Sequence, residues 1–278
     1  YYVLASRAEA LLLMGLLEEI SGVLEEAYSS VNEDWAALAT TRRQPRLICD
    51  ITSQDASILD VFLPPTVIHY CGHIIAPLGQ DGSFPYQQEE RVKIAIQNHF
   101  KKIDGLIAYG SLASGADILI AEAVLAQHGE LHVALPFCLD EFIDVSVRPS
   151  GDGWVRRFYH CLGAASSVRY ATEDSYLGDD QLFTYCSGLA MGLAVLRARY
   201  LDGPISQVAV WDGQAPTLPV GTAFDVACWH DLNFPQKIIH VDGRRKIEAQ
   251  TMVPTSRLAR VQRAMLFGDV KGFSKLRD

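Results

Sequence analysis

Short apolar runs alternate with longer helix-like patterns through most of this chain, and this alternation constrains the fold more than any other feature. After a Pro-Pro pair at 64–65 the apolar runs predict strands over 66–71, 105–109, 132–135, 167–170, 207–211 and 237–240. The intervening patterns predict helices over 86–102, 116–127, 154–165, 181–200 and 222–232. Strand–helix alternation of this kind predicts an α/β fold, with a mostly parallel sheet covered by helices on both faces.

The segment before this pattern is predicted to be helical. Apolar residues recur at helical spacing over residues 3–30, and Gly15 would end the first of two helices there. A third helix would follow an N-cap at 32–35, and we expect Pro45 to end or kink it because proline lacks an N–H group. This short helical hairpin resembles the end of a tetratricopeptide-like array.

Three regions follow from these patterns. They are a helical segment over 1–62, an α/β ligand-binding domain over 63–242, and a polar linker with the start of a further domain over 243–278. The chain begins Tyr-Tyr-Val, without Met and without a basic segment. We therefore expect it to be a fragment of a longer protein and to carry no signal peptide.

The charge balance excludes some classes of partner. Lys and Arg number 24 against 33 Asp and Glu, for a formal net charge of −9. Because a nucleic-acid-binding surface needs a clustered excess of basic residues, we expect no nucleic-acid partner. No apolar stretch approaches the roughly 20 residues of a membrane helix, so we expect no membrane partner and a cytoplasmic location. Six cysteines lie without a Cys-x-x-Cys or zinc pattern, which predicts neither a metal site nor a disulfide framework.

Glycines follow the predicted strands and indicate where a ligand would bind. Gly72 follows the first strand, Gly110 the second and Gly213 the fifth. In open parallel sheets ligands bind at the carboxyl ends of the strands, and glycine lets the backbone approach a phosphate closely. We therefore expect these strand ends to converge on one cleft.

Two helix starts are candidate anion sites. The loop from Gly110 to Gly115 has the Gly-x4-Gly spacing of a phosphate-binding loop, but it lacks the Lys and the Ser or Thr of a nucleoside triphosphatase. Its N–H groups would form an anion cradle, and the alternative is a plain strand–helix turn. Gly221-Thr222 offers a second helix start, with Asp225 on the same face, although a plain threonine cap has the same pattern.

Several segments together resemble one superfamily. They are Tyr70-Cys-Gly-His73, Gly110-Ser-Leu-Ala-Ser-Gly-Ala-Asp117 with Glu122, Ala134-Leu-Pro136, and Gly221-Thr222. This set resembles the SLOG superfamily, whose Rossmann-like domains are related to cytokinin-activating phosphoribohydrolases, the DNA-processing protein DprA and TRPM channel sensor modules. The enzymes of that superfamily carry a fuller Pro-Gly-Gly-x-Gly-Thr-x-x-Glu. Here Val220 precedes Gly221 and Asp225 replaces the Glu, a departure that argues against hydrolase activity and leaves ligand binding.

A second resemblance lies near the end of the chain. Residues Met265-Leu-Phe-Gly-Asp-Val-Lys-Gly-Phe-Ser-Lys-Leu276 are similar to the first strand and turn of bacterial class III adenylate/guanylate cyclase catalytic domains. The resemblance implies that Asp269 is a metal ligand only in a complete cyclase, because two carboxylates hold the metal pair of such an enzyme. We therefore expect no catalytic residue and no metal site in this chain.

The resemblances imply a regulatory module for signal transduction. It would bind a nucleotide, NAD or an ADP-ribose-like ligand, with no cofactor certain, and report to a downstream cyclase domain of the same chain. The alternatives are a nucleoside-monophosphate phosphoribohydrolase that uses Asp225 or Glu122, and a ligand-free scaffold for a homodimer. The candidate ligand-binding residues are Gly72, His73, Gly110, Ser111, Ala113, Ser114, Gly115, Asp117, Glu122, Pro136, Asp212, Gly213, Gly221, Thr222 and Asp225.

Overall fold

The computed structural model describes residues 1–31, 34–176, 178, 180–215 and 220–243. The described residues belong to one compact unit, which covers Tyr1–Arg245. The cyclase-like motif with Asp269 and the strand predicted with it lie outside the described residues. Among those residues, no helix is both long and apolar enough to cross a membrane.

The described residues contain one sheet of six parallel strands, which confirms the predicted Rossmann-like α/β fold. The strands are β1 (Thr66–Gly72), β2 (Leu106–Gly110), β3 (Glu130–Leu135), β4 (Ser167–Tyr170), β5 (Ile205–Trp211) and β6 (Gln236–His240). They are ordered β4-β3-β2-β1-β5-β6, and every neighbouring pair is parallel. The chain moves one way from β1 to β4 and the other way from β5 to β6. The direction therefore reverses between β1 and β5, where a ligand crevice is expected in such sheets.

Helices cover both faces of this sheet. They are α1 (Tyr2–Met14), α2 (Leu17–Ser29), α3 (Trp35–Thr52), α4 (Glu89–Phe100), α5 (Ala116–Leu125), α6 (Leu139–Ser146), α7 (Asp152–Ala164), α8 (Gln181–Leu201) and α9 (Thr222–Asp231). Alternate β1 residues serve the two faces, since Ile68 and Tyr70 pack in the core of α4, α5 and α7, whereas Val67 packs against α8 and Cys71 against α9. Burial on both sides explains why the central strands β1 and β2 contain nearly continuous apolar runs.

The N-terminal helices pack on one another and on α8. Leu12, Ile20 and Leu24 are fully buried in their shared core. The side chain of Arg46 approaches Asp202 at the end of α8 to 2.6 Å. The expectation that Pro45 could end the third helix was wrong, because α3 continues through it to Thr52. Pro45 is buried, and packing of α3 against α1 and α8 offsets the roughly 3 kcal/mol that a proline costs inside a helix.

Candidate functional site

A cavity of about 550 Å³ lies at the carboxyl ends of the strands. The ends of β1, β2 and β3 form one side, and α6, α8 and the first turn of α9 complete it. Because α9 follows β5, the cavity lies at the place where the strand order reverses. Its volume falls within the range of small-molecule sites, roughly 300–1,000 Å³.

Most of the candidate residues line this cavity. Those that do are Gly72, His73, Gly110, Ser111, Ala113, Asp117, Pro136, Gly221, Thr222 and Asp225. The structure thus brings the turns after β1 and β2 together with the start of α9. The candidates that do not line it are Ser114, Gly115, Glu122, Asp212 and Gly213.

The loop between β2 and α5 is not the anion cradle that its spacing predicts. The N–H of Ala113 donates to Asp117 Oδ2 at 3.2 Å, and the N–H of Ser114 donates to the Ser146 carbonyl at 2.9 Å. The N–H of Ala116 donates to the carbonyl of His73 at 3.3 Å. Three of the amides that a phosphate would need are therefore already bonded, and the loop has the character of a strand–helix turn.

Gly72 and Gly115 permit close packing around this turn. A Cβ on Gly72 would lie 2.2 Å from the Cβ of Ala116, so the glycine lets α5 pack directly on β1. Gly115 has a φ of +100°, and a Cβ there would lie 2.5 Å from the backbone nitrogen of Ile75. That nitrogen donates to the Ser114 carbonyl at 3.1 Å. These glycines therefore serve packing of the protein's own backbone.

The start of α9 is the better anion site. Among the described residues, no hydrogen-bond acceptor is found for the N–H groups of Thr222, Ala223 and Phe224, which form the first turn. Gly221 precedes them with a φ of +85°, and a Cβ there would have no neighbour within 4 Å. Free N–H groups at a helix N-terminus attract anions through hydrogen bonding and the helix dipole.

Two buried carboxyl groups lie in the cavity, Asp117 and Asp225, and each is 6% exposed. Burial raises the pKa of Asp117 to about 7; the Asp225 charge adds to this shift, while the Ala113 hydrogen bond and the nearby Gly72 N–H oppose it. Burial likewise raises the pKa of Asp225 to about 7. A hydrogen bond that Asp225 accepts from Ser187 Oγ at 2.9 Å lowers this pKa, but by less than burial raises it. Both groups therefore titrate near neutral pH, and their charges interact.

Two polar atoms in the cavity wall lack a partner. Asp117 Oδ1 and Ser111 Oγ are buried, and neither has a hydrogen-bond partner of good geometry among the described residues, although the Gly72 N–H is near enough to the Asp117 carboxyl to lower its pKa. The Ser111 backbone is fixed, because Tyr70 donates its hydroxyl to the Ser111 carbonyl at 2.8 Å. An unpaired buried polar group costs about 1–3 kcal/mol, so a bound molecule that pairs with these atoms removes a standing penalty.

A histidine–aspartate pair connects the ends of β1 and β5 beside the cavity. His73 Nε2 lies 3.0 Å from Asp212 Oδ1, and the Asp212 side chain is only 1% exposed. Asp212 thus contacts His73, and its side chain does not reach the cavity wall. Deeper in β1, His69 stacks on Trp229, and burial lowers the pKa of His69 to about 3, so this ring is neutral.

Comparison with protein-family models gave no match, and comparison with curated proteins gave none either. Among solved structures, the chain is similar to DNA processing protein A (DprA) from Streptococcus pneumoniae. The identity is 11%, the match covers 74% of this chain and 84% of that chain, and the TM-score is 0.31. A likeness this distant says nothing about function, which has to be inferred from the cavity.

Glu122 lies on a different face of α5 from Asp117 and forms an ion pair there. Arg157 donates through Nε and Nη2 to the two carboxylate oxygens of Glu122, each at 2.7 Å, and through Nη1 to Glu89, also at 2.7 Å. The Arg157 guanidinium lies 3.9 Å from the ring centroid of Trp154. The proposed role of Glu122 in ligand binding or hydrolysis therefore has no support from its position.

Glu122→Gln is expected to lower stability without changing ligand binding. The substitution weakens two charge-assisted hydrogen bonds of Arg157 and should cost about 1–2 kcal/mol of unfolding free energy. Urea denaturation measures the loss, and the matched control is Glu90→Gln, because Glu90 is exposed and only pairs with Lys93 at 3.8 Å. A Glu122 variant as stable as the Glu90 variant would contradict this role.

The residues that α8 contributes to the cavity were not predicted from the sequence. Phe183, Cys186 and Ser187 line the wall opposite the strand ends, and Ser187 holds Asp225. These uncharged side chains belong to no motif and give no local signal of function, and only the packing of α8 across the sheet brings them there. Within the described parts of the chain, no three His, Cys, Asp or Glu side chains are grouped to hold a metal ion.

Proposed function

We propose that this chain binds a nucleotide or nucleotide derivative in the cavity and acts as a ligand-sensing module. The observation that carries the proposal is the pairing of two features in one cavity. The first turn of α9 offers N–H groups suited to a phosphate, and Asp117 offers a buried acceptor suited to a sugar hydroxyl. A nucleotide presents both groups in a single molecule.

The charge of the residues that line the cavity limits which nucleotides it can bind. None of its described lining residues is Lys or Arg, whereas Asp117, Asp180 and Asp225 all line it. A triphosphate would be repelled by these carboxylates, with only the start of α9 to compensate. The site therefore favours AMP, NAD or an ADP-ribose-like ligand over ATP.

The output of such a sensor follows from the resemblance near residues 265–276. A downstream cyclase domain of the same protein would respond to occupancy of the cavity. A ligand-free scaffold is the weaker candidate, because its core would have no reason to keep an open cavity with unpaired polar atoms.

A second candidate function is cleavage of an N-glycosidic bond. Asp117 and Asp225 both titrate near pH 7, which suits general acid and base roles. In that reaction water adds to the sugar carbon as the carbon–nitrogen bond breaks, and the base leaves with a proton. Incubation with AMP followed by chromatography for free adenine tests this reaction. Adenine release by the wild type that disappears in Asp225→Asn would show that the chain is an enzyme and would overturn the ligand-sensing proposal.

Binding to the start of α9 is tested by comparing Thr222→Pro with Thr222→Ala. Proline is tolerated at the first position of a helix and removes one N–H, whereas alanine removes only the hydroxyl. We expect calorimetry to show AMP binding about 10-fold weaker in the proline variant than in the alanine variant, since a hydrogen bond to a charged group is lost.

Adenosine is the control ligand, because it lacks the phosphate. Its affinity should be equal in the two variants, and thermal melts must show that both are folded. Equal AMP binding by the two folded variants would place the phosphate elsewhere. Failure of AMP, NAD and ADP-ribose to bind the wild type would refute the proposed function.

A further inference from the structure

We infer that Asp117 and Ser111 bind the hydroxyl groups of a ribose, so that the cavity distinguishes ribonucleotides from deoxynucleotides. This inference rests on the proposed function, because it assigns one end of the same ligand. It starts from the two cavity atoms that have no partner among the described residues, Asp117 Oδ1 and Ser111 Oγ.

Both groups are held in place by the protein before any ligand binds. Asp117 is only 6% exposed, and its Oδ2 already accepts a hydrogen bond from the Ala113 N–H at 3.2 Å. The Ser111 carbonyl accepts from Tyr70 at 2.8 Å, which fixes the residue that carries the free hydroxyl. One polar atom of each side chain therefore remains for a ligand, with no reorganisation of the loop.

A hydroxyl group matches these atoms better than the other donors a ligand could offer. A hydroxyl donates to Asp117 when the carboxylate is ionised and accepts from it when it is protonated. An ammonium group only donates, and a metal ion would need more ligands than the described residues provide. Ser111 can likewise donate to one hydroxyl or accept from it.

The groups that line the cavity also follow the order of phosphate, sugar and base in a nucleotide. Asp225 lies one turn into α9, and Asp117 lies in the first turn of α5; both line the same cavity as the first turn of α9. A phosphate on the first turn of α9 would place the attached sugar beside the two carboxyl groups. The base would then extend toward the apolar wall that includes Phe142 and Phe183.

The test compares AMP, 2′-deoxy-AMP and 3′-deoxy-AMP by calorimetry. We expect wild-type protein to bind at least one deoxy form about 10- to 100-fold more weakly than AMP, as the loss of a hydrogen bond to a charged or buried polar group predicts. In Asp117→Ala and in Ser111→Ala, which remove the polar atoms, this ratio should fall toward one. In Glu122→Gln, whose carboxylate is on the same helix but outside the cavity, the ratio should stay at the wild-type value.

The outcomes separate this inference from the proposed function. If AMP and both deoxy forms bind the wild type equally, the ribose assignment is overturned while nucleotide binding stands. If the ratio persists unchanged in folded Asp117→Ala and Ser111→Ala, other residues bind the sugar hydroxyls and the assignment is also overturned. If none of AMP, NAD and ADP-ribose binds at all, the proposed function itself fails.

Discussion

Gly115→Ala is expected to destabilise the protein by on the order of 3 kcal/mol. At a φ of +100° an L side chain is strained, which costs roughly 1–2 kcal/mol. The new Cβ would also lie 2.5 Å from the backbone nitrogen of Ile75, and such overpacking costs about 1–3 kcal/mol. Because a backbone atom cannot rotate away as a side chain can, the whole segment from His73 to Ile75 would have to move. Urea denaturation monitored by circular dichroism measures the loss.

Two other glycines separate the causes of this loss. Gly15→Ala shares the positive φ, at +72°, but its Cβ would meet nothing within 4 Å, so only the backbone strain should appear. Gly192→Ala lies within α8 with open space around it and should stabilise the protein by about 0.5–1 kcal/mol. If Gly115→Ala loses no more than Gly15→Ala, the contact with Ile75 does not constrain the loop.

The central strands β1 and β2 could be predicted from the sequence because both faces of the sheet are buried there, and the exposed edge strands β4 and β6 could be placed from their short runs. The run 167–170 was predicted with the bounds of β4, and the observed β6 begins one residue before the predicted 237–240. The helix α6 was missed, since its eight residues span about two turns and give too short a pattern for the helical period to stand out.

The candidate site was predicted only in part, because hydrogen-bond partners come from distant segments. The amides of the loop 110–115 looked free, but the N–H groups of Ala113 and Ser114 bond to Asp117 and to the Ser146 carbonyl, both outside the loop. Helical geometry alone could have shown that Asp117 and Glu122 do not share a site. Five residues along a helix are about 140° apart, so the two carboxylates had to lie on different faces of α5.

Asp117→Asn is expected to change how stability depends on pH in the ligand-free protein. The pKa of Asp117 is raised from 3.8 to about 7 in the folded protein. Between these values the folded state holds a proton that the unfolded chain releases. The wild type therefore loses stability as pH rises from about 4 through about 7, and the loss is complete above the folded pKa. Asparagine does not ionise, so the variant escapes this loss.

The gain of Asp117→Asn over the wild type should therefore increase from pH 5 to pH 8. Three pKa units correspond to on the order of 4 kcal/mol as an upper limit. His69, whose pKa is lowered from 6.5 to about 3 in the folded protein, opposes the trend in the absolute stability. Below about pH 6.5 the unfolded chain protonates this histidine while the folded protein keeps it neutral, so its contribution to stability falls as pH falls. It is present in both proteins and cancels from their difference. Urea denaturation of both proteins across this pH range measures the difference.

Asp225→Asn is the companion variant, since the Asp225 charge contributes to the raised pKa of Asp117. It should show the same trend, because burial also raises the pKa of Asp225 to about 7. The double variant should gain less unfolding free energy than the sum of the two single variants. The repulsion between the two carboxylates is removed by either substitution alone, so it is counted twice in that sum. A stability difference between Asp117→Asn and wild type that stays constant from pH 5 to pH 8 would mean that Asp117 ionises normally. The cavity would then hold a carboxylate in permanent contact with water or a cation.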